Sequence, residues 1–209
     1  VFYNLDVTKD ISSFPFVEDF ESNPTDFLKL DPNTDSDLNV DTFSRNSGMY
    51  ALHFEGESSS GWSGGSTSAD SNDAWVSNTS HHASARTCIV DLTNLNAAQM
   101  KFALRQTYTY GAPYSWFRVL VNDTVQIQDV DGNYNFNPTT ENSDPFTDRY
   151  FDLSQYAGNQ IKLTFQSSNK YEYDYSSYDG DNAFLDDLII GAPPAVDLGP
   201  DSTICANSS

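Results

Sequence analysis

Apolar and polar residues alternate with a period of two along most of the chain. Because successive side chains of a β-strand point to opposite faces of a sheet, this period predicts strands with one buried and one exposed face. Clusters of Gly, Asn, Asp, Ser and Pro separate the strands, as is typical of antiparallel strands joined by turns. The apolar positions of the clearest segments are Tyr50, Leu52 and Phe54; Met100, Phe102 and Leu104; Phe117, Val119 and Val121; and Ile161, Leu163 and Phe165.

The pattern therefore predicts an all-β fold, an antiparallel β-sandwich with long loops. We expect at most single helical turns, near residues 95–99 and 153–158. Long loops in a compact domain are usually functional or are held by a ligand or metal. The four predicted long loops cover residues 22–40, 55–73, 105–115 and 166–182.

Composition and charge exclude two classes of partner. The 209 residues are 38% hydrophobic and 14% aromatic, which is enough for a core. Thirty Asp and Glu residues against ten Lys and Arg residues give a formal net charge of −20. Such a surface repels phosphate backbones, so we predict no nucleic-acid partner. No stretch approaches the roughly 20 apolar residues of a membrane span, so we also predict no membrane insertion.

Three motifs resemble those of MAM-like jelly-roll domains from secreted, multidomain bacterial proteins of the Bacteroidetes type. They are Phe-Val-Glu-Asp-Phe-Glu at 16–21, Ser-Gly-Met-Tyr-Ala-Leu-His-Phe at 47–54 and Asp-Asn-Ala-Phe-Leu-Asp-Asp-Leu at 181–188. The resemblance implies a sandwich of jelly-roll type over residues 14–191, with residues 1–13 as a linker or leading strand. It also implies a secreted or cell-surface module that contacts neighbouring domains of a larger protein.

The tail, residues 192–209, resembles a linker and the first strand of a polycystic-kidney-disease-type immunoglobulin-like repeat. In that resemblance Cys205 pairs with a cysteine later in the repeat. Cys88 is predicted to be a small buried strand residue. A Cys88–Cys205 disulfide is possible from the sequence but is not favoured.

Carboxylates at both ends of the predicted domain share strands with apolar residues. Strict alternation puts either Asp186 or Asp187 on an apolar face, and it does the same for Glu18 or Glu21. A buried carboxylate is costly without a partner, and basic residues are few, so a hard cation with oxygen ligands is the economical solution. The alternative is that these acids face water at strand ends.

We predict one structural calcium ion that joins the first and last strands. MAM-like and related jelly rolls often hold calcium near these motifs, so the resemblance points to the same place. Glu21 and Asp187 are the leading ligands, and Glu18, Asp186 and Asn46 are alternates or supplements.

Catalytic motifs are weak throughout the chain, so we predict that the protein is not an enzyme. Gly61–Gly65 matches the G-x-S-x-G elbow but no helix follows it. His81 and His82 lack the further ligands of a zinc site and are predicted to be exposed loop residues, whereas His53 is predicted to be a hydrogen-bonded strand residue. Asp129–Asn133 is predicted to be a hairpin turn. The Glu18/Glu21 and Asp186/Asp187 pairs leave a jelly-roll glycoside hydrolase or lyase as the least favoured alternative.

Aromatic residues in or beside the predicted loops suggest two binding functions. The first prediction is protein contact or domain spacing, with the aromatic rings sealing loops or meeting a neighbour. The alternative is binding of a polysaccharide by rings that stack on sugars. A single groove would favour the sugar, and separate burial would favour the spacer. The candidate ligand-binding residues are Trp62, Trp75, Trp116, Tyr173, Tyr175 and Tyr178.

Overall fold

A computed structural model describes residues 9–22, 26–32, 36–56, 75, 82–108, 113–139, 144–171 and 180–193. Thirteen strands lie in these ranges. They are β1 (Phe16–Glu18), β2 (Leu28–Asp31), β3 (Ser36–Asp41), β4 (Ala51–Gly56), β5 (His82–Thr87), β6 (Val90–Asp91), β7 (Gln99–Thr107), β8 (Ser115–Val121), β9 (Val125–Ile127), β10 (Thr147–Asp152), β11 (Gln160–Ile161), β12 (Leu163–Asn169) and β13 (Asn182–Gly191).

The strands form two main antiparallel sheets. One sheet has the order β10-β7-β13-β4-β3, with β1 also pairing with β13, and the other has the order β2-β5-β12-β8-β9. A small third sheet pairs β6 with β11. The predicted all-β antiparallel β-sandwich of jelly-roll type is confirmed.

Aromatic rings from both sheets meet in the core between them. Phe54 of β4 and Phe102 of β7 contact Phe117 of β8, with ring centroids 5.6 and 5.8 Å apart. Phe102 also meets Phe165 of β12 at 5.7 Å. The period-two positions predicted to face inward are buried, apart from Tyr50, which is partly buried against the core.

The predicted loop at residues 22–40 is wrong, because it contains β2 and most of β3. The apolar residues that face inward are only Leu28 and Leu30 in β2 and Leu38 and Val40 in β3, where the buried Ser36 is polar. Each short strand carries exposed or half-exposed polar residues between those positions, so its apolar signal is weak. The predicted helical turn near residues 153–158 is confirmed by a 3-10 turn at Ser154–Tyr156.

Two smaller predictions about single residues are also wrong. Cys88 lies in a bend after β5 and is only partly buried. His82 is not an exposed loop residue: it belongs to β5, opposite Ser168 of β12, and is 9% exposed.

Cys205 and His81 lie outside the described residues, as does the tail from residue 194. No helix in the described ranges is long and apolar enough to cross a membrane.

Candidate functional site

The outer face of the five-stranded sheet, meaning the face turned away from the core, carries aromatic and polar side chains. On β8, Trp116 and Arg118 alternate with the buried residues Phe117 and Val119. Directly opposed residues of antiparallel strands share a face. The register therefore brings Gln166 of β12 beside Arg118 on the outer face.

A hydrogen-bonded row crosses this face from strand to strand. The Nε and Nη2 groups of Arg118 donate to Gln166 Oε1 at 2.8 and 2.6 Å. Gln166 Nε2 donates in turn to Ser84 Oγ of β5 at 3.1 Å. The guanidinium is thus held in place by a neutral amide that is itself fixed.

Trp75 packs over the same row. The Arg118 guanidinium lies 4.0 Å from the centroid of its ring. The indole Nε1 donates to Asn135 Oδ1 at 2.8 Å, and Gln126 Nε2 of β9 donates to the same oxygen at 2.7 Å. These contacts fix a half-buried indole on the sheet surface.

Arg118 has an unusual electrostatic setting on this face. Burial lowers the pKa of its guanidinium to about 10, because the charged form is partly removed from water. No carboxylate among the described residues forms an ion pair with it, although other basic residues of the chain do have such partners. The cation is oriented by a neutral group rather than by an acid.

The structure brings together two of the predicted ligand-binding residues. Trp75 and Trp116 both contribute to the outer face, and both are half-buried rather than sealed in the core. The other four predicted residues, Trp62, Tyr173, Tyr175 and Tyr178, lie outside the described residues. Sequence reasoning missed Arg118, although its position two residues after Trp116 already put both on one strand face.

Three of the predicted metal ligands, Asn46, Asp186 and Asp187, contact one another at a second place, the junction between the end of β1, the segment 42–50 and β13. Asp186 Oδ2 accepts hydrogen bonds from the backbone N–H of Asn46 at 2.8 Å and of Ser47 at 3.0 Å. Asp187 accepts from the Asn46 amide and the Ser47 hydroxyl, both at 2.7 Å. Glu21 Oε1 accepts from the backbone N–H of Met49 at 2.6 Å and of Tyr50 at 2.9 Å.

Burial separates the four acids of the junction. Asp186 is fully buried and Glu18 is nearly so, whereas Glu21 is exposed and Asp187 is intermediate. Thus the two acids predicted as leading ligands are the more exposed ones. The register of β13 against β7 shifts between Asp186 and Ile189, and Asp187 has a left-handed backbone with φ of 50°.

The carboxylates of the junction are oriented toward hydrogen-bond donors. Within the described ranges, no three His, Cys, Asp or Glu side chains are grouped so that they could hold a metal ion. Burial nevertheless raises the pKa of Asp186, with a smaller contribution from the Asp187 carboxylate, and the N–H donors oppose this rise only in part. The junction is rich in hard oxygen donors, and its buried negative charge is incompletely compensated.

The remaining candidate motifs have structural roles or lie outside the described residues. His53 is buried, with Nδ1 2.6 Å from Asp41 Oδ2 and Nε2 2.8 Å from Asn182 Oδ1, as predicted for a hydrogen-bonded strand residue. Asp129 closes the predicted turn by accepting from the backbone N–H groups of Asp131 and Asn133. The Gly61–Gly65 segment is outside the described residues.

Comparisons with known proteins give structural matches only. No family model and no curated protein matches the chain. The K3 cleaved adhesin domain of Lys-gingipain from Porphyromonas gingivalis W83 matches with a TM-score of 0.50 and 14% identity, over 85% of this chain and 98% of that domain.

Two further matches have lower TM-scores. The CBM22-1 xylan-binding domain of Paenibacillus barcinonensis Xyn10C gives 0.43 at 13% identity, over 88% of this chain and 97% of that one. The C-terminal family 22 carbohydrate binding module of Clostridium thermocellum Xyn10B matches with a TM-score of 0.45 and 11% identity. The match covers 87% of this chain and 95% of that module. At such identities a likeness concerns the fold, and the adhesin domain is similar to this chain in its β-sandwich.

Proposed function

We propose that the chain is a non-catalytic module that binds carbohydrate on the outer face of the five-stranded sheet. One observation carries this proposal: Trp75 and Trp116 lie on one sheet face. The same face holds Arg118 of β8 and Gln166 of β12, which are joined by hydrogen bonds. Sugar rings need an apolar platform for their faces and fixed polar groups for their hydroxyls. The outer face has both, so the carbohydrate alternative now takes precedence over protein contact.

Binding to a panel of soluble polysaccharides, followed by calorimetry on the best ligand, tests this proposal. Trp75→Ala and Trp116→Ala should each weaken binding by about tenfold or more, because each removes part of the aromatic platform. Tyr150→Ala is the matched control, since it removes a part-exposed aromatic ring from β10 of the other sheet. Failure to bind any glycan in calcium-containing buffer, or unchanged affinity in both tryptophan variants, would refute the proposal.

Protein contact is the second candidate function. Four large apolar side chains of the described residues are more than half exposed. Val130, at 62%, lies after β9, and the other three are Val17 at 58%, Phe43 at 52% and Met49 at 59%. All three belong to β1 or to the segment 42–50 that contacts Glu21 and Asp186. A neighbouring domain of a secreted or cell-surface protein, which the MAM-like motifs imply, is the partner that this surface would take.

We propose in addition that the junction binds one calcium ion. Calcium takes six to eight oxygen ligands, including carboxylates, amide and backbone carbonyls and water, so it does not require three carboxylates around one point. Glu18 and Asp186 are the buried carboxylates that would hold it, and Glu21, Asp187 and Asn46 are the adjoining oxygen donors. The raised pKa of Asp186 supports this proposal, because a cation would compensate the buried charge.

A further inference from the structure

Arg118 is a partly buried cation that forms no ion pair with any described acid, in a strongly acidic protein. The chain has thirty Asp and Glu residues and ten Lys and Arg residues, so acidic partners are abundant. Arg118 nevertheless donates to the neutral Gln166 and stacks on Trp75. In the described part of the chain it makes no ion pair.

Among the described residues, the Arg118 guanidinium uses only some of its N–H donors. It carries five N–H groups in a planar fork. Its bonds to Gln166 Oε1 use Nε and one side of Nη2, which leaves the Nη1 end directed away from that amide. A fork that is held by stacking and by a neutral acceptor is pre-organised to bind a planar anion such as a carboxylate in bidentate fashion.

The same sheet face continues into a cleft lined by more cations. A row of opposed residues runs across the sheet from Lys29 of β2 to Arg86 of β5, then to Thr164 of β12 and Leu120 of β8. Leu120 is two residues after Arg118 and therefore shares its face. This register puts Lys29 and Arg86 on the face of Arg118. A cleft of about 440 Å³ is lined by Lys29, Arg86 and Lys162 together with the acids Asp10 and Asp123.

The distribution of charge supports an extended ligand. Four of the ten basic residues lie on this face or in its cleft: Lys29, Arg86, Arg118 and Lys162. Arg86 is paired with Asp31 and lies 3.5 Å from Asp123, whereas no ion pair within the described ranges involves Lys29 or Lys162. From β2 to β8 the face spans three strand spacings, about 14 Å, which suits an oligosaccharide better than a single sugar.

We infer that the carbohydrate bound on this face is an acidic polysaccharide, with a uronic acid carboxylate seated on Arg118. The inference rests on the proposed function, since it names the ligand class of the same face. Trp75 and Trp116 provide the platform for the sugar rings. Arg118 selects the charged unit, and Lys29 and Lys162 add weaker attraction along the chain.

Calorimetry with pairs of polymers tests the inference. Each acidic polysaccharide, such as polygalacturonate or glucuronoxylan, is compared with its carboxyl-reduced form, which keeps the backbone and loses the charge. The wild-type protein should bind at least one acidic polymer about tenfold more tightly than its reduced form, and added salt should narrow the gap. Arg118→Gln should abolish the preference, so that the acidic polymer and its reduced form bind this variant with equal affinity.

Two further variants separate recognition from structure. Arg118→Lys keeps the charge but loses the planar fork, so it should retain only part of the preference. Arg45→Gln removes the same charge from an exposed site away from the sheet face and should change nothing. Melting temperatures of all variants identify any loss of folding.

The outcomes distinguish the two proposals. Equal binding of acidic and reduced polymers by the wild type, or a preference that survives in Arg118→Gln, would overturn the inference and leave the carbohydrate site intact. Absence of binding to every polymer would overturn the proposed function itself.

Discussion

At the scale of single residues, the fully buried Asp186 gives the protein a defined pH dependence. Its folded-state pKa is raised, first by burial, so the folded state binds a proton more readily than the unfolded chain. At pH values between the unfolded pKa of 3.8 and the higher folded pKa, Asp186 is therefore protonated to a greater extent in the folded state than in the unfolded chain. The contribution of Asp186 to the free energy of unfolding is fully present below 3.8 and is lost as pH rises through the folded pKa.

The comparison of wild type with Asp186→Asn isolates this contribution, because asparagine cannot ionise. With chelator present, wild type should be less stable relative to the variant at pH 7 than at pH 4, as measured by urea unfolding. A stability difference that is independent of pH would show that the hydrogen bonds from Asn46, Ser47 and Asp187 balance burial, and a shift in the other direction would show that they outweigh it.

Gly48 is a residue where an added side chain would displace the carboxylate of the exposed Glu21, which accepts two backbone hydrogen bonds there. Its φ is 55°, and a Cβ there would lie 2.5 Å from the Glu21 carboxyl carbon and closer still to Oε1. Gly158 has a φ of 80° with nothing within 4 Å. Gly48→Ala should therefore destabilise the fold by about 3 kcal/mol and Gly158→Ala by about 1 kcal/mol, since only the first also displaces an acceptor.

Urea unfolding of both glycine variants measures this difference. Equal losses in the two would mean that the contact between Gly48 and Glu21 adds nothing beyond backbone strain.

The sequence allowed the acids of the junction to be identified, but it did not determine which were buried. Alternation left Asp186 and Asp187 as equal candidates, because each shares a face with apolar neighbours. The register shift after Asp186 and the left-handed backbone of Asp187 determine that Asp186 is the buried acid. Neither feature leaves a period-two signal in the sequence. The sequence likewise did not determine whether Glu18 is buried. In the structure Phe16, Glu18 and Phe20 are all buried.

At the scale of elements, strands with several apolar positions could be predicted and short polar ones could not. β4, β7, β8 and β12 carry the alternation over six to nine residues. The four-residue strand β2 has only two inward residues, so the Asn, Asp, Ser and Pro content of its surroundings dominated the prediction.

The proposed calcium site belongs to this scale, because the junction connects β1 to the segment 42–50 and β13, which are distant in sequence. An ion that binds only the folded state stabilises it by RT ln(1 + [L]/Kd), about 4 kcal/mol at a thousandfold excess over Kd. Removal of calcium with chelator should thus lower the melting temperature by about 10 °C. Asp187→Ala should reduce this calcium-dependent shift.

The calcium-dependent shift, rather than the melting temperature itself, is the relevant measurement, since Asp187 also accepts hydrogen bonds from Asn46 and Ser47. Asp131→Ala, which removes an exposed acid from the turn, is the matched control and should keep the full shift. Sodium chloride at equal ionic strength controls for screening of the net charge. The same melting curve with and without chelator would rule out the ion.

At the scale of the whole molecule, the sandwich could be predicted but the proposed binding face could not. Strand periodicity determines which residues point inward, and this was enough to predict two packed sheets. The composition of the outer face depends on which strands are neighbours and on where Trp75 packs, and strand periodicity determines neither. Its row from Ser84 through Gln166 and Arg118 to Trp75 joins positions far apart in sequence.

The central claim is that the outer face of the five-stranded sheet binds carbohydrate, and an NMR titration tests it most directly. An oligosaccharide of the polymer that binds best is added to ¹⁵N-labelled protein in calcium-containing buffer. We predict that the largest shift changes occur at the amides of Ser84, Arg118 and Gln166 and at the indole N–H of Trp75. Changes centred on Glu21, Asp186 and residues 46–50 instead, or no changes at all, would contradict the account.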